Sequence, residues 1–360
     1  MENLENNSSK PLLENENLWT NHVEKLKKLS KVGDRNKNLF ILKPVNEWID
    51  IAKKTPIPNM LFGELWFENE ICVLFSDSNL GKSILSVQIA NSISSGVPIL
   101  GFILEAPKQI VLYFDFELNA KQFEIRYSVQ NKEQKKCENH YLFDDNFIRV
   151  EINPEADIPE NCKFEDYLTE SIEKEIIKTG AKVLIIDNIT FLKNENENSK
   201  NALPLMKLLK SLKNKYGLSI LVLAHTPKRE MSRPITQNDL QGSKMIFNFT
   251  DSCFAIGASN LDKNLRYIKQ LKERNTEKIY DCENVIICEI EKNNNFLSFK
   301  FLQYGREMEH LKQYTESEKD IRISQAKELK ASGYTNVAIG KSLGVSEATI
   351  RKWIKKENNE

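Results

Sequence analysis

A short apolar run, Ile71-Cys72-Val73-Leu74-Phe75, passes through Ser76-Asp77-Ser78-Asn79-Leu80 into Gly81-Lys82-Ser83, and from there into Ile84-Leu85-Ser86-Val87-Gln88-Ile89-Ala90-Asn91-Ser92-Ile93. The first run reads as a buried strand, and the last carries apolar residues at helical spacing. Strand, tight polar turn and helix in that order narrow the available folds sharply, because they are what a phosphate-cradling loop needs. The loop's backbone N–H groups and the helix N-terminus converge on anionic oxygens, and both favour negative charge. On this reading the cradle is Ser78, Asn79, Leu80, Gly81, Lys82, Ser83 and Ile84. Lys82 reaches the β- and γ-phosphates, and the Ser83 hydroxyl binds Mg²⁺. Ser76 stands where the usual pattern, G-x-x-x-x-G-K-[ST], has its first Gly, which predicts a slightly different turn. A bare Gly-Lys-Ser also opens ordinary helices; the flanking strand and helix favour the phosphate reading.

A second strand, Ile110 to Phe116, is followed by a predicted helix, Lys121 to Val129, and a charged loop over residues 131–145. Then come a helix (Phe164 to Thr179), a strand (Val183 to Asp187), a helix (Leu203 to Lys215) and a strand (Leu218 to Ala224). Strands that are apolar on both faces and alternate with helices predict a parallel sheet covered on two sides. Beyond Asp251 strands dominate (Cys253 to Ile256, Leu265 to Leu271, Val285 to Ile290, Phe296 to Leu302), predicting an antiparallel extension of the sheet. The expected class is α/β, with a mostly parallel central sheet.

The chain of 360 residues has room for one domain of roughly 200–250 residues and a smaller one. The expected divisions are an N-terminal arm over 1–37, a core over 38–312 and a C-terminal helical unit over 313–360. Within the arm, Met1 to Asn17 reads as a disordered lead-in and Leu18 to Lys37 as a charged helical stretch. Lys+Arg and Asp+Glu number 51 each, so no chain-wide basic field exists, and any nucleic-acid contact must come from local patches. Six cysteines without a C-x-x-C pair fit reduced thiols better than a disulfide frame or zinc site. With no signal-peptide core and no apolar run near the ~20 residues of a membrane span, the expectation is a soluble cytoplasmic protein with no membrane partner.

Two carboxylates stand at strand ends. Asp187 closes Val183–Ile186 and is placed to reach Mg²⁺ beside a nucleotide. The competing account is a plain strand followed by a turn. Glu117 closes Tyr113-Phe114-Asp115-Phe116 and can polarise a water in line with a γ-phosphate; its competitor is a carboxylate at a helix N-terminus. Asp115, two residues earlier, is the weaker candidate base.

Together with Leu221-Val222-Leu223-Ala224-His225 and Gln241-Gly242-Ser243, these motifs resemble the RecA-like P-loop ATPases with an AAA-type core, and most closely the RepA/DnaB-type hexameric helicase group, over about residues 55 to 310. The resemblance implies ATP and Mg²⁺ as cofactors and ATP hydrolysis at the interfaces of a homo-oligomer, a hexamer or filament. It matches Glu117 to the catalytic glutamate, Asp187 to the Mg²⁺ aspartate, and His225 to a residue that senses the γ-phosphate and relays to a DNA-binding loop; a strand-end histidine satisfied within its own fold is the alternative for His225. Leu271-Lys272-Glu273-Arg274-Asn275 resembles the K-x-R finger, with Lys272 and Arg274 inserted into a neighbour's site; charges guarding a strand edge are the alternative. The loop after His225, Thr226 to Pro234, carries Lys228, Arg229 and Arg233 where that group places a mobile pore loop touching single-stranded DNA; an ordinary charged surface loop is the alternative. A loop after Phe191, with Lys193 and Lys200, is a second candidate.

Thr315-Glu316-Ser317-Glu318 predicts a capping box that opens a separate unit. Helices over Asp320 to Lys330, Thr335 to Leu343 and Glu347 to Lys355, with Gly344-Val345 at the turn and Ser346 as a cap, resemble the resolvase and sigma-factor type of helix-turn-helix. That resemblance implies duplex DNA faced by Thr349, Arg351, Lys352 and Lys355; a protein-interaction module with a solvated basic face is the alternative. The whole then reads as an ATP-dependent DNA motor, a replicative helicase of a plasmid or mobile element. A DNA-binding regulator switched by ATP occupancy and a structural adaptor with a decayed site are the alternatives.

Overall fold

The computed structural model describes residues 40–355 apart from 132, 158, 160–163, 190–201, 227–228, 241–242, 344 and 346. The predicted helix over 18–37, the loop with Lys193 and Lys200, Lys228, Gln241-Gly242, Gly344 and Ser346 therefore lie outside the described residues, as does the Lys355 side chain. The chain divides into two units, residues 1–57 and 58–360. In the first unit, helix α1 (Val45–Ala52) leaves Val45, Trp48 and Ile49 exposed.

The second unit is built on a sheet of nine strands. In chain order these are β1 (Ile71–Ser76), β2 (Val111–Asp115), β5 (Phe147–Val150), β6 (Val183–Asp187), β7 (Ser219–His225), β8 (Ser252–Ala258), β9 (Leu265–Lys272), β10 (Val285–Asn293) and β11 (Phe296–Gly305). Their spatial order is β11-β10-β9-β8-β1-β7-β6-β2-β5. From β8 to β5 every described pairing is parallel, whereas β9, β10 and β11 add on antiparallel. One strand, β7, separates β1 from β6, so the phosphate-loop strand and the Asp187 strand flank it. The antiparallel extension starts one strand later than expected, because β8 pairs in parallel with β1.

Two apolar layers hold the sheet. Ile71, Val73 and Phe75 point to one face with α4 (Phe164–Thr179), α5 (Ala202–Tyr216) and α6 (Ser243–Phe249). Cys72 and Leu74 point to the other, with α2 (Lys82–Ser95) and Phe299 of β11. All six residues of β1 and all five of β6 are buried, which is why these strands read as unbroken apolar runs. The region after β2 departs from expectation. The helix there, α3 (Ala120–Arg126), stops short, and residues 129–138 form a small hairpin of β3 (Val129–Asn131) and β4 (Lys136–Glu138) in place of a loop.

After the short helix α7 (Glu307–His310), Thr315 caps α8 (Glu316–Ala331) through the expected reciprocal bonds with Glu318. With α9 (Asn336–Leu343) and α10 (Glu347–Lys355) it encloses a separate small core of Ala326, Ile339, Val345 and Ile350, against which Trp353 packs.

Candidate active site

The cradle owes its shape to two residues with left-handed backbones, Asn79 (φ 62°) and Gly81 (φ 98°). Ser76 does not need the conformation a glycine would supply, because it is still in strand: it pairs with His225 on β7 and Ile256 on β8. Gly81 is irreplaceable on a second count. A Cβ there would fall 2.8 Å from the Phe299 ring and 2.9 Å from Ile290. As the N-cap of α2 it offers no side-chain cap, so the first-turn N–H groups of this 14-residue helix remain for a ligand.

A cleft of about 340 Å³ opens here, lined by Ser78, Asn79, Gly81, Lys82, Ser83, Ile84, Glu117, Arg126 and His225. Six of the seven residues expected to cradle phosphate thus line it. Leu80 does not: its side chain packs with the apolar layer, and its carbonyl accepts from Arg266 Nε at 3.3 Å.

Register brings the reactive side chains together. Ser76 pairs with His225, and Asp115 with Asp187, so the C-terminal ends of β1, β7, β6 and β2 form one edge. Lys82 turns inward there, its Nζ 3.2 Å from Ser76 O, 3.3 Å from Asp77 O and 3.2 Å from His225 Nδ1. Burial lowers its pKa, opposed by the charges of Asp187 and Glu117. An ammonium has no lone pair, so Nδ1 accepts from Lys82 and the ring proton sits on Nε2, 3.1 Å from Glu117 Oε1. Asn188 Nδ2 donates to the same Glu117 oxygen. The bond from His225, ahead of the neighbouring Lys82 charge, holds the Glu117 carboxyl below the usual carboxylate range. Glu117 is therefore an ionised carboxylate, suited to orienting a water.

Asp115 has a different job. Its Oδ1 accepts from the backbone N–H of Glu117 and Leu118, and its Oδ2 from Arg149 Nε at 2.9 Å. It shapes the turn that carries Glu117 and is too enclosed to act as a base.

Asp187 lies fully buried below the cleft, and Tyr113 donates to its Oδ2 at 2.8 Å. Oδ1 is buried without a hydrogen-bond partner. Burial pushes the carboxyl up to about 6. An orphaned carboxylate oxygen next to the Ser83 helix start fits a hard divalent cation, so Mg²⁺ would be held by Ser83 and Asp187, supplying charge neutralisation at the phosphates. Among the described residues no group of three or more His, Cys, Asp or Glu is poised to hold a metal, so the remaining ligands of such an ion would be phosphate and water oxygens.

Lys272 and Arg274 are not part of this cleft. Lys272 pairs with Cys253 at the start of β8, the end of the sheet opposite Ser76. Its Nζ donates to Phe247 O at 2.6 Å, and Arg274 Nη1 binds Asp251 Oδ1 at 2.9 Å. Nor do the described cations of the 226–234 loop stand free: Arg229 donates to Arg233 O, and Arg233 pairs with Asp239. On α10, Arg351 and Lys352 are exposed, and Thr349 is half-buried.

Two site residues escaped the sequence reading. Asn188 was visible only as the polar residue after Asp187. Arg126 closes α3 and lines the cleft with its Nη1 buried and lacking a hydrogen bond, a placement that no linear motif announces.

A family model described as AAA domain (AAA_25) matches residues 40–231, more than half of the chain. The chain belongs to this AAA domain family. The match takes in the phosphate loop, Glu117, Asp187 and His225 and ends at Met231. Among solved structures, the crystal structure of the KaiC-like protein PH0186 from the hyperthermophilic archaeon Pyrococcus horikoshii OT3 is similar over 65% of this chain and 90% of its own, with 14% sequence identity and a TM-score of 0.43. No curated protein matches the chain. As an AAA domain with a mostly parallel α/β sheet and this cleft, the core is a RecA-like P-loop ATPase. Among the described residues no helix is long and apolar enough to cross a membrane.

Proposed function

We propose that the chain is an ATP-dependent DNA motor of the replicative-helicase kind, acting as a homo-oligomer. One observation carries the reading: the contact line Lys82–His225–Glu117 joins the phosphate-binding lysine to the carboxylate that orients water, and His225 opens directly into the 226–235 loop. A phosphate arriving at Lys82 is thereby reported to a segment outside the cleft. Glu117 orients the attacking water, and Lys82 neutralises charge developing on the transferred phosphoryl group.

Support for an oligomer comes from the distant placement of Lys272 and Arg274. At the opposite end of the sheet they serve no chemistry in their own cleft, and in an oligomer the half-exposed Arg274, released from Asp251, would enter a neighbour's. Duplex DNA falls to the C-terminal unit, read as a helix-turn-helix, whose α10 directs Arg351 and Lys352 to solvent for phosphate contact.

A second reading, a DNA-binding regulator using ATP as a switch, is favoured by the engagement of Arg229 and Arg233 within their own chain. The deciding experiment is ATPase activity with and without single-stranded DNA, with oligomer mass measured in the same buffer. A motor shows stimulation by single strands in an oligomer, and inactive Glu117→Gln and Arg274→Ala chains regain hydrolysis when mixed. A regulator keeps duplex occupancy in Glu117→Gln and is indifferent to single strands.

A further inference from the structure

The peptide that joins Leu80 to Gly81 is trans, so its carbonyl and its N–H point in opposite directions. Whatever fixes Leu80 O therefore fixes the Gly81 N–H as well. Flipping this peptide turns ψ of Leu80 and φ of Gly81 together. Gly81 sits at φ 98° and ψ 21°, and a glycine takes negative φ about as readily, so its own backbone does not hold the plane. The Leu80 side chain, packed in the apolar layer, anchors its own Cα and leaves that rotation open.

The restraint comes from Arg266, near the start of β9. Its Nε donates to Leu80 O at 3.3 Å, while Nη1 donates to Lys263 O at 2.7 Å and Leu265 O at 2.8 Å. All of these acceptors are uncharged carbonyls, although the guanidinium is half-buried and burial lowers its pKa. Ion pairing does not account for an arginine placed in this way beside a phosphate loop. With Leu80 O turned to Arg266, the Gly81 N–H is turned away from it. Gly81 lines the cleft and Arg266 does not, and the Gly81 N–H makes no hydrogen bond among the described residues. It is a donor left for an anion.

We propose that Arg266 is a positioning residue for nucleotide binding: by holding Leu80 O it keeps the Gly81 N–H aimed into the cleft, where that group donates to a phosphate oxygen. The inference rests on the nucleotide reading of the cleft and adds to it a residue that lies nearly two hundred positions beyond the loop and touches no nucleotide itself.

Two substitutions separate the Nε donor from everything else the arginine does. Glutamine carries an amide nitrogen at the same place along the side chain as arginine Nε, without the charge and without the Nη1 bonds to Lys263 and Leu265. Methionine carries a methyl group there and no donor. Binding of fluorescent ATP and ADP analogues and steady-state hydrolysis are measured on full-length Arg266→Met and Arg266→Gln, with circular dichroism in the same buffer to confirm folding. Arg266→Met is expected to bind both nucleotides about tenfold more weakly, because loop N–H groups serve the phosphates that the two share. KM for ATP should rise alike, with kcat at saturation within about twofold of wild type. Arg266→Gln should bind within about threefold of wild type. Arg266→Leu replaces Arg266→Met as the chain without a donor if the latter does not fold.

Unchanged binding in the donor-less chain overturns the role given to Arg266, as does a loss in kcat at constant KM. Arg266→Gln binding as weakly as Arg266→Met overturns it too, since the effect would then belong to the charge or to the turn at Lys263 and Leu265. Absence of nucleotide binding in the wild type overturns the reading of the cleft, and this inference with it.

Discussion

Lys82 Nζ lies 3.2 Å from His225 Nδ1, across a sheet register that sets Ser76 opposite His225. The lysine that meets phosphate and the histidine at the mouth of the adjoining loop are therefore partners before any ligand arrives. Because Nδ1 is occupied as an acceptor, Nε2 must present its proton to Glu117. One ammonium position thus sets the orientation of the Glu117 carboxylate.

Asp187 pulls stability and function in opposite directions. Burial raises its carboxyl from 3.8 to about 6, so the folded state holds this proton more tightly than the unfolded chain does. The stabilisation is complete below about pH 4 and is lost as pH rises through about 6, leaving a cost of about 3 kcal/mol at neutral pH. Asp187→Asn is expected to be more stable than the wild type by about 2 kcal/mol at pH 7.5 in urea unfolding, with the gap shrinking toward pH 4. Its Mg²⁺-dependent hydrolysis should be lost. A variant less stable than the wild type at pH 7.5 contradicts this account of the buried carboxylate.

Lys269 and Glu307 form a pair that cannot lose one member cheaply. Glu307 is fully buried and accepts from both Lys269 and the Ile235 N–H. Lys269→Met leaves an uncompensated buried carboxylate and should cost about 3–5 kcal/mol, read as a lower denaturant midpoint. A change under about 1 kcal/mol would show that Ile235 is not anchored there.

Asn188 donates through Nδ2 to Glu117 Oε1, which suits a positioning role for the amide. Asn188→Ala removes the amide donor from Oε1 while the His225 bond remains. Hydrolysis should slow about tenfold in kcat with KM for ATP nearly unchanged, and Asn188→Gln should not restore it, since the longer side chain misplaces the donor. A rise in KM at constant kcat would place Asn188 in ground-state binding instead.

Much of this was legible in the chain because burial on both faces writes a parallel strand as an unbroken apolar run. Ile71–Phe75, Val183–Ile186 and Leu218–Ala224 are such runs, and the carboxylates and histidine at their ends landed on one edge. Elements without that signature went unseen. The three-residue strands of the 129–138 hairpin are too short to show a period, and β5 is half-buried along its whole length at the sheet edge. A linear motif also treats every loop residue alike, whereas the loop turns Leu80 into the core and its neighbours into the cleft. Arg126 reaches the cleft from the end of a helix expected to run from Lys121 to Val129.

Replacing Glu117 by Gln puts the account under the most direct strain. The amide keeps the shape and leaves Lys82, Ser83 and Asp187 in place, so a fluorescent ATP analogue should bind within about threefold of wild type while Mg²⁺-dependent hydrolysis falls by about 10²–10⁴-fold. Hydrolysis at the wild-type rate in Glu117→Gln, with binding intact, would contradict the assignment of this carboxylate and of the site organised around it.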